Sequence, residues 1–194
     1  MSPREQKIAM RSRVNERLAV MSDQERSLAS MDLCARLADC THELDGFIFA
    51  FIPMAMEVDI RPFLQNRLPG NMAVPLVDWD NRTMEPCRLH GLTDAELTRD
   101  RHGLRTPVRI DRVDPDEIDA IIIPAVAFDE KGFRLGRGGG YYDRFIEAMA
   151  RRATLIGVAF DQQMVSKVPI EPWDQNVDTI ITPTRTIRVS RPED

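Results

Sequence analysis

The chain has 194 residues, with 26 basic and 31 acidic side chains for a formal net charge of −5. Apolar residues make up 43% and charged residues 29%. That balance excludes whole-chain disorder, a collagen-like repeat and a general nucleic-acid binder with a basic face. The longest apolar runs, 47–56 and 120–128, are each broken by a proline. Both are far shorter than the roughly 20 residues of a membrane span. No apolar segment follows the basic N-terminus, so no secretory signal is expected. Cys34, Cys40 and Cys87 are odd in number and lack Cys-x-x-Cys spacing. Adding His42 does not create the short paired spacing of structural zinc. A reducing cytosol is the expected setting. The length suits one domain over 1–194 with a real core.

In chain order, Ser2-Pro3-Arg4-Glu5 reads as a helix start, with Ser at the cap, Pro at the first position and Glu at the third. Met10, Val14 and Leu18 follow at helical spacing. Ser22-Asp23-Gln24-Glu25 repeats the signature, and Leu28, Met31, Ala35 and Ala38 share one face. A helical pair ending near Cys40 is expected. Short apolar runs at 46–53, 72–77, 118–124, 155–159 and 177–182 read as strands buried on both faces. Helical stretches are expected at 59–68, at 142–151 and, from its Thr-x-x-Glu box, at 93–98, with Asp59 as the cap of the first. Buried strands alternating with helices predict an α/β fold with a mostly parallel sheet. Ligands of such sheets bind beyond the carboxyl ends of the strands.

Glycine is sparse, at 10 residues, yet Gly136, Gly138, Gly139 and Gly140 crowd into five positions. They follow a buried strand and precede a helix. Glycines there let the backbone turn its N–H groups onto a ligand, and the helix start adds a favourable dipole for an anion. From Lys131 to Tyr142 there are three cations and no acid, in an acidic chain. A glycine run alone also suits a flexible hairpin. Arg134, Arg137, the Tyr141–Tyr142 pair and the strand–loop–helix context favour a phosphate-like ligand. Neither a Walker A loop nor a dinucleotide fingerprint is present. Asp143 is either a first-turn carboxylate or one that holds Mg²⁺ beside phosphates.

The segment Arg134-Leu-Gly-Arg-Gly-Gly-Gly-Tyr-Tyr-Asp-Arg144 resembles the signature of the 5-formyltetrahydrofolate cyclo-ligase family. Lys7-Ile-Ala-Met-Arg11 is similar to the family's N-terminal element, Glu57-Val-Asp59 to its Glu-x-Asp element, and Val168-Pro169, Asp174 and Asp178 to its C-terminal pattern. The resemblance spans residues 5–182. It implies a three-layer αβα fold like that of ribose-5-phosphate isomerase and CoA transferases. It also implies ATP-dependent conversion of 5-formyltetrahydrofolate to 5,10-methenyltetrahydrofolate, with ADP and phosphate released.

The resemblance implies ATP contacts from Lys7, Arg11, Arg134, Leu135, Gly136, Arg137, Gly138, Gly139, Gly140, Tyr141 and Tyr142, with Lys7 and Arg134 catalytic. Folate contacts are implied for Ile52, Glu57, Arg137, Gly138, Gly139, Gly140 and Tyr141, and Mg²⁺ ligands for Asp143 and Asp174. A cytosolic monomer acting on a small folate, without nucleic acid or membrane, is the expectation. The chain departs from the family at Ile60, at Met84-Glu85 and at Thr106-Pro107. Segment 79–107 could help shape the substrate pocket. Two other readings remain open: a related ATP enzyme with another substrate, and a non-catalytic binder of a phosphorylated ligand. His42, His90 and His102 form no catalytic arrangement in the sequence.

Overall fold

A computed structural model describes residues 2–149, 153–171 and 174–189. It opens with α1 (Pro3–Ala19) and α2 (Asp23–Thr41). Both start at the capping boxes read from the sequence: the Glu5 and Glu25 carboxylates accept the Ser2 and Ser22 amides at 2.7 Å. α1 buries Val14 and Leu18, as its spacing predicts. α2 turns the other way from the expected face. It buries Leu33, Cys34 and Leu37, whereas Leu28 and Met31 are more than half exposed and Ala35 and Ala38 face outward. Two leucines remove more apolar area from water than two alanines do, so the leucine stripe takes the sheet.

There follow β1 (Phe47–Phe49), α3 (Arg61–Arg67), β2 (Met72–Asp78), β3 (Thr83–Arg88), β4 (Leu97–Arg99), β5 (Arg105–Pro107), β6 (Ile118–Pro124), β7 (Ala127–Phe128) and β8 (Arg134–Leu135). The chain continues through α4 (Tyr141–Ala148), β9 (Thr154–Val158), β10 (Thr179–Ile181) and β11 (Thr186–Arg188). Seven strands form one sheet in the order β11-β10-β9-β6-β1-β2-β3. Its five central strands are parallel, and β3 and β11 close the edges antiparallel.

Burial alternates along the parallel strands. Ile48, Met72, Ala120, Ile122 and Ile156 pack with the α1, α2 and α3 side chains. Phe47, Phe49, Ala73, Ile121, Ile123 and Leu155 pack with Phe145 of α4. Two-sided burial is why the sequence shows continuous rather than alternating apolar runs. Helices on both faces make three layers. The strand order reverses between β1 and β6, so their carboxyl ends open the crevice where ligands bind in such sheets.

Three further expectations are corrected. Residues 93–98 do not form a helix. The box closes one turn, with the Leu97 amide on Thr93 O at 3.0 Å, and the chain then extends as β4 with Leu97 buried. One turn costs more to nucleate than six residues return. The cap of α3 is Ile60; Asp59 lies one residue earlier and accepts the Arg61 amide at 3.0 Å. α4 begins at Tyr141 and ends at Ala148, short of the expected 151, and positions 150 and 151 of that expectation lie outside the described residues. β3, β4, β5, β7, β8 and β11, absent from the sequence reading, are short or lie at edges.

Gly157 of β9 tests the packing. A Cβ there would lie 2.6 Å from the ring of buried Phe128. Gly157→Ala is expected to destabilise the fold by about 1–3 kcal/mol, read as a lower urea midpoint at unchanged slope.

Candidate functional site

The site begins with a buried turn. Asp129, 2% exposed, accepts the Lys131 and Phe133 amides at 3.0 and 3.2 Å and the Val168 amide at 2.8 Å. Its carboxylate thus closes the β7–β8 turn and ties it to the segment after β9. Gly132 completes the junction: its carbonyl accepts the Val177 amide at 2.9 Å, and a Cβ would lie 2.6 Å from Val177 O. This brings Glu171, Asp174 and Gln175 beside β8 and the glycine segment.

Arg134, in β8, is 8% exposed. Its guanidinium donates to Gln175 O at 2.6 Å and to the Asp143 carboxylate at the start of α4. Burial holds its affinity for a proton below that of an ordinary arginine, opposed by the charges of Asp143 and Asp174. Asp143 and Asp174, 31 positions apart in sequence, therefore meet around one guanidinium.

α1 lies across the same place. Lys7 Nζ bridges Glu171 at 2.6 Å and Asp174 at 2.8 Å. Burial works against its charge, but the hydrogen bonds and charges of those two carboxylates prevail, so its pKa lies above the usual 10.5. Arg11, one turn on, donates Nε to Gly136 O at 2.9 Å. The face read from their spacing is thus turned onto the glycine segment.

In that segment Gly138 and Gly140 have φ of +102° and +67°, the left-handed region that favours glycine. At Gly139 the constraint is contact: a Cβ would meet the Tyr141 ring at 2.6 Å. Among the described residues, none of the amides from Arg137 to Gly140 donates to another chain atom. Gly140 caps α4 without any side-chain hydrogen bond. These are the free donors an anion would use.

Glu57 stands at the other lip. A turn puts its amide on Met54 O and its Oε2 on the Met54 amide at 2.9 Å, with Met56 at a φ of +73°. Its Oε1 accepts two hydrogen bonds from Arg137, at 3.0 and 3.1 Å. Burial pushes the Tyr142 phenol far above its ordinary value, Glu57 adding to this and Arg134 opposing it. Tyr142 therefore remains a protonated phenol at working pH.

Not every residue singled out from the sequence presents its side chain here. Ile52, 4% exposed, and Leu135, 1% exposed, lie in the core, leaving only their backbone for a ligand. Tyr141 packs edge-on against Trp79 at 5.7 Å and under Arg144 at 5.5 Å. Trp79 also stacks on His102 at 4.2 Å and donates to Asp100 at 2.7 Å. This aromatic wall, and the lysine partner Glu171, were not found from sequence. Trp79 and His102 are 23 positions apart, and only the β2–β3 hairpin and the β4–β5 ribbon join them.

The model of the 5-formyltetrahydrofolate cyclo-ligase family matches residues 3–183. An Escherichia coli 5-formyltetrahydrofolate cyclo-ligase is 40% identical over 95 residues, which are 47% of this chain and 52% of that protein. The chain thus spans about half the length of that relative in the match. A Mus musculus protein of the same name is 25% identical over 187 residues, covering 90% of this chain and 92% of its own. The solved structure of Aquifex aeolicus 5,10-methenyltetrahydrofolate synthetase superposes with a TM-score of 0.81 at 28% identity, covering 97% of this chain and 95% of that one. With the glycine segment, its basic surround and nearly the whole length matched, the chain belongs to the 5-formyltetrahydrofolate cyclo-ligase family.

Proposed function

We propose that this chain converts 5-formyltetrahydrofolate to 5,10-methenyltetrahydrofolate while ATP is split to ADP and phosphate. One observation carries the reading: the backbone amides at 137–140, free among the described residues, lie between Arg11 on the Gly136 carbonyl and the Arg137–Glu57 pair in the loop after β1, with Arg134 on Asp143 and Lys7 on Asp174 nearby in the fold. That is a polyphosphate cradle adjoining an acceptor for a second ligand. Membership of the 5-formyltetrahydrofolate cyclo-ligase family supports ATP and the folate as those ligands.

The formyl oxygen attacks the terminal phosphoryl group and ADP leaves. N10 then attacks the formyl carbon, and phosphate departs with that oxygen while N10 releases its proton. Phosphoryl transfer of this kind asks chiefly for positioning and charge stabilisation. Lys7 and Arg134 would stabilise the charge that develops, and Arg11 and the amides between Leu135 and Tyr142 would hold the phosphates. Glu57, with Arg137 and the Gly138–Tyr141 backbone, would orient the folate, and the Ile52 backbone would border it.

The magnitudes separate two kinds of ion pair. Arg137–Glu57 is an open pair, its arginine side chain 55% exposed, worth about 0–1 kcal/mol and easily exchanged for ligands. Arg134–Asp143 is buried on the arginine side and costs about 3–5 kcal/mol to break, so it acts as a frame.

Asp143 and Asp174 fit Mg²⁺. Two carboxylate oxygens, with nucleotide phosphates and water, meet its needs. No cluster of three acidic, His or Cys ligands exists among the described residues, so the nucleotide would complete the set. Bound Mg²⁺ supplies neutralisation of charge on the transferring phosphoryl group. The same reading treats residues 1–194 as one catalytic domain acting as a monomer. It also places the protein in a reducing cytosol.

Incubation with ATP, Mg²⁺ and 5-formyltetrahydrofolate, followed by methenyl absorbance, is expected to give one ADP per methenyl product, and chelation of the metal to abolish it. Folate-independent ADP release would point to another substrate, and ATP binding without turnover to a binding module. Lys7→Met is expected to lower turnover about 100- to 1000-fold. Because the folded pKa of Lys7 is raised, the stability from its ion pairs is complete below the ordinary 10.5 and is lost as pH rises through the folded value. The melting temperature gap between wild type and Lys7→Met should therefore hold from neutral pH and close above 10.5.

A further inference from the structure

Arg144 stands in the fourth position of α4, where the helix dipole disfavours a cation. Its contacts give another reason for it. Nη2 donates to Gly139 O at 2.6 Å, and Nε donates to Arg82 O at 2.8 Å, at the tip of the β2–β3 hairpin. Its guanidinium lies over the Tyr141 ring at 5.5 Å. The glycine at 140 is accounted for by its φ of +67° rather than by this contact, since the end of an arginine side chain can give way.

The tip it grasps is firm. Asp78 accepts the Asp80 and Asn81 amides at 3.0 Å, and Arg82 is held at a φ of +54°. Across a trans peptide the carbonyl of one residue and the amide of the next point in opposite directions. A guanidinium that fixes the Gly139 carbonyl therefore aims the Gly140 amide away from the hairpin. Arg11 likewise fixes the Gly136 carbonyl.

We infer that Arg144 is a positioning residue for nucleotide binding: it bridges Gly139 O and Arg82 O, and so presets the glycine-segment amides toward the phosphates. Arg144 touches no reacting atom in this arrangement. The inference rests on the ATP reading above, but it concerns binding and is tested without turnover.

Calorimetric titration with ATP and Mg²⁺, without folate, separates the two. Wild type that binds ATP yet forms no methenyl product would sink the cyclo-ligase reading and leave this inference standing. Wild type that fails to bind ATP overturns both. Arg144→Ala is expected to raise the ATP Kd about 10- to 100-fold, the loss of charge-assisted hydrogen bonds. Arg144→Lys keeps the charge but, as a point donor, cannot span both carbonyls, so it should lose nearly as much affinity. It also carries the test if the alanine variant does not fold. Arg82→Gly retains the carbonyl and accepts the left-handed turn, so its Kd should match wild type. Wild-type affinity in Arg144→Ala, full rescue by lysine, or an equal loss in Arg82→Gly would each overturn the inference.

Discussion

A guanidinium buried to the extent of Arg134 cannot be left without partners, because an uncompensated charge in the interior costs several kcal/mol. Meeting that requirement gathers the site. Asp143 comes from α4, the Gln175 carbonyl from the segment before β10, and Asp174 adds its charge from the same segment. Lys7 then bridges Asp174 and Glu171 and draws α1 across the sheet end. Three stretches far apart in sequence are thus tied together around Arg134, on a turn that the buried carboxylate of Asp129 closes.

The surrounding groups differ in how firmly they are held. Arg134 and Lys7 are each held by carboxylates in short contacts, and those carboxylates are fixed with them. Arg137 and Glu57 meet in the open, where an ion pair contributes little and a ligand can replace it. The glycine segment lies between these regimes. Its carbonyls are held by Arg11 and Arg144 while its amides from 137 to 140 stay free among the described residues. An acidic chain thereby presents a local donor surface without carrying a basic face.

What could be read from the residues was what depends on short range. The two capping boxes, the Val14 and Leu18 stripe and the five buried runs each follow from local pattern. The glycine cluster stood out by composition alone, and the Lys7 and Arg11 pairing by helical spacing. Local rules also misled. The box at Thr93 closes only one turn, because Leu97 is taken up by β4. The apolar stripe through Leu28 and Met31 stays in solvent, because the stripe of Leu33, Cys34 and Leu37 faces the sheet.

Sequence by itself determined the α/β class, the family and the residues worth watching, since periodicity, capping and a glycine–arginine motif are properties of neighbouring positions. Only the tertiary structure decided which of those residues meet. The strand order places Glu57 and the glycine segment on either side of the reversal between β1 and β6. It gives Lys7 its partner Glu171, 164 positions away, and sets Trp79 and His102 against Tyr141. Such meetings depend on how strands order and loops return, and no local rule of spacing encodes a contact between distant segments.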